Sequence, residues 1–475
     1  MLSVAAVAVA AAVFGANPND FTGADDSAVI QAAVDAAAKS GENFVVIPAM
    51  NRRTGKPGWT IARTILLPSE MTVILESCRM TLADGVFCNL FSNSKAWTEE
   101  GLAEEGEERN ITIMGVGHAV LDGGNWNGWG EHTEKNTGRK PPKSLQHNCT
   151  IYFHNVRNFK VEGLHIRHQR YWGMCYSFCS FGEIRDIRFE ADLSWANADQ
   201  TGHDPNRSDI ADGAYENVWI KNGDGCDLRG GCHDILIDNV TGFTEDDGVA
   251  LTTLPGSENC RFVGKRRPDI WNVTIRNNRI HVWRYAAQVR LLCSGGHRIH
   301  DIAIDGIMDP SPSDCPWQNG SAVLISDCDP EFLVYDDPKH PRRAPVCGET
   351  YNISIKNVWS RALVGVRLFG DIDNLEIENL HVMEGVRTAI ACPLFATLHH
   401  ARFTSIHCPE VAKIGSVFEC FKLHGDVTVR DVFANEVGSV FRHCGDAKVK
   451  WENVQVRKFD SFERAAGNTP RFGGY

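Results

Sequence analysis

The stretch ISIKNVWSRALVGVRLFGDIDNLEIEN, residues 353–379, shows the same short pattern at both of its ends. ISIKN begins at Ile353 and LEIEN begins at Leu375, so the two instances start 22 residues apart. Apolar and polar residues alternate in each instance, and an asparagine follows. Alternation with a period of two predicts a half-buried β-strand, and the asparagine is typical of a tight turn with a left-handed backbone. The stretch therefore predicts two equivalent strands separated by one turn of a repeating fold.

The same pattern recurs through most of the chain. Its other instances are ITIMG at 111, FKVEG at 159, IRFEA at 187, ILIDN at 235, VTIRN at 273, IAIDG at 302, VTVRD at 427 and VKWEN at 449. Several consecutive starts are 22–29 residues apart, and we interpret the spacings near 50 as about twice that. A repeat in the twenties predicts stacked coils, because each unit can bury its apolar face only against its neighbours. A β-propeller needs about 40–45 residues per blade, so we predict an all-β chain folded as a parallel β-helix.

The N-terminal part departs from this pattern. Residues 25–27 are N-cap residue types, and residues 28–39 have helical spacing. We therefore expect a short helical cap with a first strand over residues 25–50, followed by β-helix coils with long loops over residues 60–460. The expected organisation is a single β-helix domain that comprises residues 1–475.

Residues 1–16 allow two interpretations. The apolar run from Leu2 to Phe14 resembles the central part of a signal peptide, although no Lys or Arg precedes it. The alternative is a buried first β-strand that ends at Ala16. An exported protein, periplasmic or extracellular, is favoured, and a cytoplasmic protein is the alternative.

Composition restricts the classes of partner. The formal net charge is −12, so the chain has no general attraction for nucleic acid or anionic membranes. The 16 cysteines are scattered singly, without the spacing of a zinc motif, and most are expected to be buried small apolar residues. We expect no cofactor and no metal site; bound calcium, the disulfide state and the oligomeric state stay open, with a monomer favoured.

Acidic residues cluster in NGDGCDLRGGCHDILIDNVTGFTEDDGVALTT, residues 222–253. Asp224 and Asp246 are 22 residues apart, which is close to one coil. Residues one coil apart stack at the strand spacing of about 4.8 Å, so this separation predicts spatial contact. Asp246 and Asp247 would face opposite sides of a straight strand, and both can line one cleft only at a bend or bulge.

Four segments, in order, resemble glycoside hydrolase family 28, the polygalacturonase-like enzymes of the pectin-lyase-like superfamily. They are GVGHAVLDGGNWNGW (115–129), NFKVEGLHIRHQRYWGMCYSFCSFGEIRDIRF (158–189), NGDGCD (222–227) and EDDGVALTT (245–253). The resemblance implies a single-stranded right-handed parallel β-helix. It also implies a glycosidase that cleaves O-glycosidic bonds of a pectin-like or other plant or host poly- or oligosaccharide.

The resemblance also implies roles for individual residues. Inversion needs one carboxylic acid for the leaving oxygen and a carboxylate that activates water on the opposite face of the sugar. Asp246 matches the general acid, and Asp224 and Asp247 match the two carboxylates that position and deprotonate water. Asn222 and Trp172 match family positions beside the substrate.

Further substrate-binding candidates follow from the loops and from departures from the family pattern. Trp126 lies in a long polar insertion and is a candidate platform for stacking against a sugar. The family's Gly-His-Gly site corresponds here to WRYAAQVRLL (283–292), which has no histidine, and Arg290 is either a replacement substrate clamp or a structural ion pair. The family's Arg-Ile-Lys site is reduced to Arg367 in GVRLFG (365–370).

These departures leave the sugar open among an acidic sugar, a neutral sugar and a branched glycan. Long loops around the cleft favour exo action or short substrates. Two alternative functions also stay open: a polysaccharide lyase or uronate epimerase on the same scaffold, and a glycan-binding β-helix without catalysis.

Overall fold

The structure, a computed structural model, describes residues 15–465 except 125–128, 130–133, 135–137, 139, 192–194, 197–202, 205–222, 255–260, 284–285, 294–295, 312–317, 327–344, 384, 394–395 and 410–414. The helix α1 covers Asp26–Ser40, and short 3-10 turns cover Pro18–Asp20, Glu100–Leu102, Glu104–Gly106 and Leu145–Asn148. The strands in the first half of the chain are β1 (Phe44–Pro48), β2 (Met50–Asn51), β3 (Lys56–Pro57), β4 (Trp59–Ile61), β5 (Ile65–Leu67), β6 (Thr72–Glu76), β7 (Arg79–Leu82), β8 (Phe91–Asn93), β9 (Glu108–Asp122), β10 (Ile151–His154), β11 (Val156–Arg167), β12 (Met174–Ser177), β13 (Ser180–Glu190), β14 (Trp195–Ala196), β15 (His203–Asp204), β16 (Cys226–Arg229) and β17 (His233–Thr244). Those in the second half are β18 (Val249–Thr252), β19 (Ile270–Val282), β20 (Ala287–Leu292), β21 (Ile299–Met308), β22 (Ser321–Ile325), β23 (Thr350–Ser360), β24 (Val364–Leu368), β25 (Gly370–Val382), β26 (Thr388–Cys392), β27 (Ala396–Cys408), β28 (Ser416–Gly445) and β29 (Lys448–Ala465).

The chain divides into two compact units. Unit 1 comprises Met1–Asp227, His233–Glu245 and Arg261–Arg266, and unit 2 comprises Leu228–Cys232, Asp246–Cys260 and Arg267–Tyr475. The single-domain organisation that we expect from the sequence stays a prediction.

Unit 1 is built from coils that stack in parallel. One stack of strands runs β1, β6, β9, β11, β13 and β17, each paired in parallel with the next. A second stack runs β5, β8, β10 and β12, also in parallel. Each coil thus adds one strand to each stack and buries its apolar face against the coils beside it.

Unit 2 repeats this plan. Its long strands stack in the order β19, β21, β23, β25, β27, β28 and β29. Its short strands stack in the order β18, β20, β22, β24, β26 and β28. All these pairings are parallel, and crossovers between parallel strands of one sheet are right-handed in about 98% of cases. The predicted fold class, a right-handed parallel β-helix with a helical cap, is confirmed.

The asparagines after the strands have the predicted turn conformation. Asn357 and Asn379 have φ of 56° and 59°, in the left-handed region that asparagine tolerates. The Asn379 side-chain amide donates to Asn357 Oδ1 at 2.7 Å, and the Asn357 amide donates to Asp305 Oδ1 at 2.7 Å. The turns of neighbouring coils are therefore joined by a ladder of side-chain hydrogen bonds.

The interpretation of the spacings near 50 as two coils is wrong for three of them. Ile111 pairs directly with Phe159, and Ile302 pairs directly with Ile353. The strand β13, which contains Ile187, pairs directly with β17, which contains Ile235. Each of these spacings is therefore one coil with an inserted loop, not two coils. The spacing between Leu375 and Val427 does contain a further strand, β27, as the doubling predicts.

The repeat that begins at Ile187 does not align with the repeats of the neighbouring strands. Gly182, not Ile187, pairs with both Phe159 and Ile235. The strand β13 alternates on both sides of Asp186, where φ is 54° and the chain bends. Alternation alone therefore could not identify which half of β13 aligns with its neighbours.

The N-terminal cap follows the prediction closely. The Asp25 carboxylate accepts a hydrogen bond from the Ala28 N–H at 2.9 Å and so caps α1, which ends before Gly41 at φ 78°. Ala16 forms a parallel bridge with Val45 of β1. Residues 1–14 lie outside the described residues, so the choice between signal peptide and first strand stays a prediction. Among the helices described, none has the length and apolar character needed to cross a membrane.

Candidate active site

Asp247, in unit 2, lies just before β18 and is held from two sides. Its Oδ1 accepts a hydrogen bond from the Ala287 N–H at 2.7 Å, and its Oδ2 accepts one from Arg290 Nη1 at 3.1 Å. The Asp247 side chain is 4% exposed and that of Arg290 is 16% exposed. A carboxylate offers about four lone-pair directions, so these two bonds leave it able to accept from a water or a sugar hydroxyl.

Asp246 is half-buried and lies in the bend that joins β17 to β18. Two adjacent carboxylates can line one cleft only at such a bend, and the shared cleft itself stays a prediction. Gly248 follows the pair and approaches the next coil closely: its N–H donates to the Ala287 carbonyl at 2.9 Å. A Cβ atom at Gly248 would lie 2.7 Å from the Gln288 carbonyl oxygen, so only glycine fits this turn.

Asp224, in unit 1, lies two residues before β16 and is 5% exposed. Its carbonyl accepts a hydrogen bond from the Gly173 N–H at 2.8 Å. A Cβ atom at Gly173 would lie 2.6 Å from Phe189 Cε1 and 2.8 Å from the Gly225 carbonyl oxygen. The glycine at position 173 therefore allows the close approach that positions the backbone of Asp224.

Glu245 is a further candidate site residue, and the sequence motifs do not single it out. Its side chain is 3% exposed, and its N–H donates to the Gly223 carbonyl at 3.3 Å, within unit 1. This bond joins the residue before Asp224 to the residue before Asp246. The run Glu-Asp-Asp at 245–247 was the available signal, but only its two aspartates match the family motif.

Arg290 and Arg367 lie in the same stack of short strands in unit 2. Arg290 pairs with Leu324, and Leu324 pairs with Arg367, so the two arginines are two strands, or roughly 10 Å, apart along the stack. Arg367 is buried. Of the two alternatives for Arg290, the structure shows the ion pair, with Asp247 as its partner. The substrate-binding roles of both arginines stay predictions.

Of the remaining substrate-binding candidates, only Trp172 lies within the described residues. Trp172 is 3% exposed and stacks on Tyr171, with ring centroids 4.3 Å apart, in an apolar cluster that includes Tyr152. These contacts are those of a core residue, and a substrate-binding role for Trp172 stays a prediction. The predictions for Trp126 and Asn222 concern residues that lie outside the described residues.

Most of the described cysteines are buried, as the sequence predicts. Of the 12 described free cysteines, 10 are buried, which agrees with their role as small apolar core residues. Cys347 is the exposed exception among them.

A comparison with known protein families agrees with the sequence resemblance. Residues 59–267 match the model of glycosyl hydrolases family 28. No curated relative matches the sequence.

The chain is also similar to several solved structures. The surface adhesin PfbA of Streptococcus pneumoniae is 11% identical, with 95% of this chain and 91% of that chain covered and a TM-score of 0.49. The A-module of mannuronan C-5 epimerase AlgE4 from Azotobacter vinelandii is 13% identical, with 96% and 98% covered and a TM-score of 0.48. An exopolygalacturonase from Thermotoga maritima is 14% identical, with 94% and 92% covered and a TM-score of 0.45.

At these identities and TM-scores, the structural likenesses carry no argument about activity. The family match extends over residues 59–267, which include all four segments that carry the resemblance. The resemblance of this chain to glycosyl hydrolases family 28 is therefore confirmed, over a segment of a right-handed parallel β-helix.

Proposed function

We propose that the protein is a glycoside hydrolase that cleaves O-glycosidic bonds of a poly- or oligosaccharide by inversion. The family match over residues 59–267 supports a glycoside-hydrolase-like function. In the proposed reaction Asp246 protonates the leaving oxygen, and Asp247 is a carboxylate that positions and deprotonates the attacking water. The family motif gives Asp224 the same kind of role, and that assignment rests on the motif alone.

The contrast between Asp246 and Asp247 is the observation that carries this proposal. Asp247 is buried, and both of its oxygens accept hydrogen bonds, from the Ala287 N–H and from Arg290. A carboxylate fixed in this way is preorganised to orient a water molecule. Asp246 is the more exposed of the pair, so its carboxyl group is the one that a bulky leaving sugar can reach.

The ion pair between Arg290 and Asp247 also bears on the substrate. The Arg290 guanidinium already donates to Asp247, so its position is explained by orienting that carboxylate. Its presence therefore does not by itself indicate an acidic sugar. We therefore propose a carbohydrate substrate without restricting it to galacturonan.

The experiment is a screen of the purified full-length chain against galacturonan, rhamnogalacturonan and neutral oligosaccharides. We expect new reducing ends, and proton NMR during the first turnovers should show the product with inverted anomeric configuration. Retention of configuration on the substrate found would contradict the assigned roles. Binding without any released sugar would favour the non-catalytic alternative.

A lyase or uronate epimerase is the second candidate, because a carboxylate beside an arginine also suits proton abstraction next to a uronate carboxyl group. The contact between Asp247 and Arg290 is the observation that favours it. A lyase would release an unsaturated product that absorbs in the ultraviolet, and an epimerase would change the sugar without new reducing ends. Either result would replace the hydrolytic proposal.

A further inference from the structure

Three side chains of unit 2 that can ligate a metal converge outside the candidate active site. Cys347 Sγ, an Asp371 carboxylate oxygen and a His399 imidazole nitrogen all lie within 4.8 Å of one another. His399 Nε2 is 3.2 Å from Asp371 Oδ1. Cys347 is a free, exposed thiol, and the other two side chains are half-buried.

The stacking of the coils brings these residues together. Asp371 lies on β25 and His399 on β27, and these strands are adjacent and parallel. The register pairs Asp373 with His399, so Asp371 and His399 lie two positions apart along the strands and on the same face. Cys347 lies in the turn that leads into β23.

The backbone holds the turn of Cys347 over β25. The Asp371 N–H donates to the Pro345 carbonyl at 3.0 Å. Gly370 has φ of 74°, and a Cβ atom there would lie 2.7 Å from the Pro345 ring, so the turn packs directly on the glycine. The thiol of Cys347 is thus brought to the carboxylate by contacts that do not involve the thiol itself.

The donor set selects the kind of ion. One thiolate, one imidazole and one carboxylate suit zinc and similar transition metals, whereas calcium and magnesium take oxygen ligands. Two ligands about 2.1 Å from a tetrahedral ion lie about 3.4 Å apart, close to the separation of His399 and Asp371. Asp373, two positions along the same face, adds negative charge that favours a cation.

We propose that Cys347, Asp371 and His399 form a Zn²⁺ site with one coordination position open to water or a further ligand. Three protein ligands and an open position distinguish it from closed structural sites, which have four protein ligands. The sequence does not predict this site, because its ligands come from three separate coils without a short zinc motif. The proposal goes beyond the proposed glycosidase activity and does not depend on it.

The test is a Zn²⁺ titration of the reduced, metal-free, full-length chain in competition with a chromogenic chelator. We expect one tightly bound equivalent, and Cys347→Ser or His399→Gln should each weaken binding by ~100-fold or more, because even the loss of an outer partner costs 10–100-fold. His400→Gln is the matched control: His400 is the next residue, 75% exposed and paired with Asp373, and its loss should leave the affinity unchanged within about threefold. Co²⁺ should give a thiolate charge-transfer absorption band that Cys347→Ser abolishes.

A second measurement needs no variant. Zn²⁺ should slow the alkylation of Cys347 by iodoacetamide, read at that residue by mass spectrometry, whereas Ca²⁺ should not. Absence of a bound equivalent in the wild type would overturn the proposal. It would equally be overturned by an affinity that is the same in Cys347→Ser and His399→Gln, which would indicate an adventitious ion elsewhere on the chain.

Discussion

The ion pair between Asp247 and Arg290 gives a quantitative prediction. Replacement of Arg290 by Met removes a donor to a carboxylate that is 4% exposed. Breaking a buried ion pair by removing one partner costs about 3–5 kcal/mol, and the Ala287 N–H still donates to Asp247. We therefore expect Arg290→Met to lower the free energy of unfolding by about 3 kcal/mol, at the low end of that range.

A double-mutant cycle isolates the pair itself. Asp247→Asn keeps an acceptor for the Ala287 N–H and removes the charge that Arg290 faces. Hydrogen bonds to charged groups contribute about 1.5–3 kcal/mol, and little solvent screens this pair, so we expect a coupling of about 2 kcal/mol. The assay is urea unfolding of the wild type, the two single variants and the double variant, followed by circular dichroism.

An exposed pair provides the control. Lys356 and Glu376 are 3.0 Å apart, but each side chain is 37% exposed, so their coupling in the same assay should be much smaller. A coupling below about 0.5 kcal/mol for Asp247 with Arg290, within the usual scatter of independent sites, would refute the reasoning.

Three further predictions concern the scaffold. Burial raises the pKa of Asp122, but hydrogen bonds from His168, the Gly124 N–H and Arg79 outweigh burial and hold that pKa well below its ordinary value of 3.8. The carboxylate therefore stabilises the fold fully above about pH 5 and loses this contribution as the pH falls. Asp122→Asn should lower the free energy of unfolding by about 2 kcal/mol at pH 7 and by progressively less in acid, and an equal loss at pH 7 and pH 2 would contradict this. Gly173→Ala places a Cβ against Phe189 and should lower the free energy of unfolding by about 2 kcal/mol in urea, whereas unchanged stability would mean that the coil is not packed as described. Asn357→Ala should lower the free energy of unfolding by about 1–2 kcal/mol, because the φ of residue 357 is positive. Asn357→Gly should recover part of that loss, because glycine tolerates a positive φ. Equal stability of the two variants would argue against backbone strain at this turn.

The repeating alternation in the sequence was sufficient to predict the fold, because the repeat near 22 residues admits few architectures other than stacked coils. Ile353 and Leu375 pair as their spacing predicts. The same spacing rule failed where loops are inserted, as between Ile302 and Ile353, because an insertion lengthens a coil without changing its register. Sequence distance alone cannot separate an inserted loop from a second coil.

The site was predictable only in part. The family motif predicts catalytic roles for Asp246 and Asp247, which stay predictions, and the two residues do lie at a bend of the chain. The bond from Arg290 to Asp247 spans 43 residues, and it depends on a coil length that the sequence does not reveal. The cluster of Cys347 with its two partners was missed for the same reason, since three coils with different loop lengths contribute to it.

The central claim is that Asp246 donates the proton in a glycosidase reaction. The most direct measurement compares the turnover of Asp246→Asn with that of the wild type on the substrate found in the screen, at equal folded fraction by circular dichroism. Asp234→Asn is the matched control, because Asp234 lies at a turn with φ of 55°, which asparagine tolerates, and pairs with His233. We expect a fall in kcat of about 100-fold to 10,000-fold for Asp246→Asn and near-normal turnover for the control. Wild-type turnover by Asp246→Asn would contradict it.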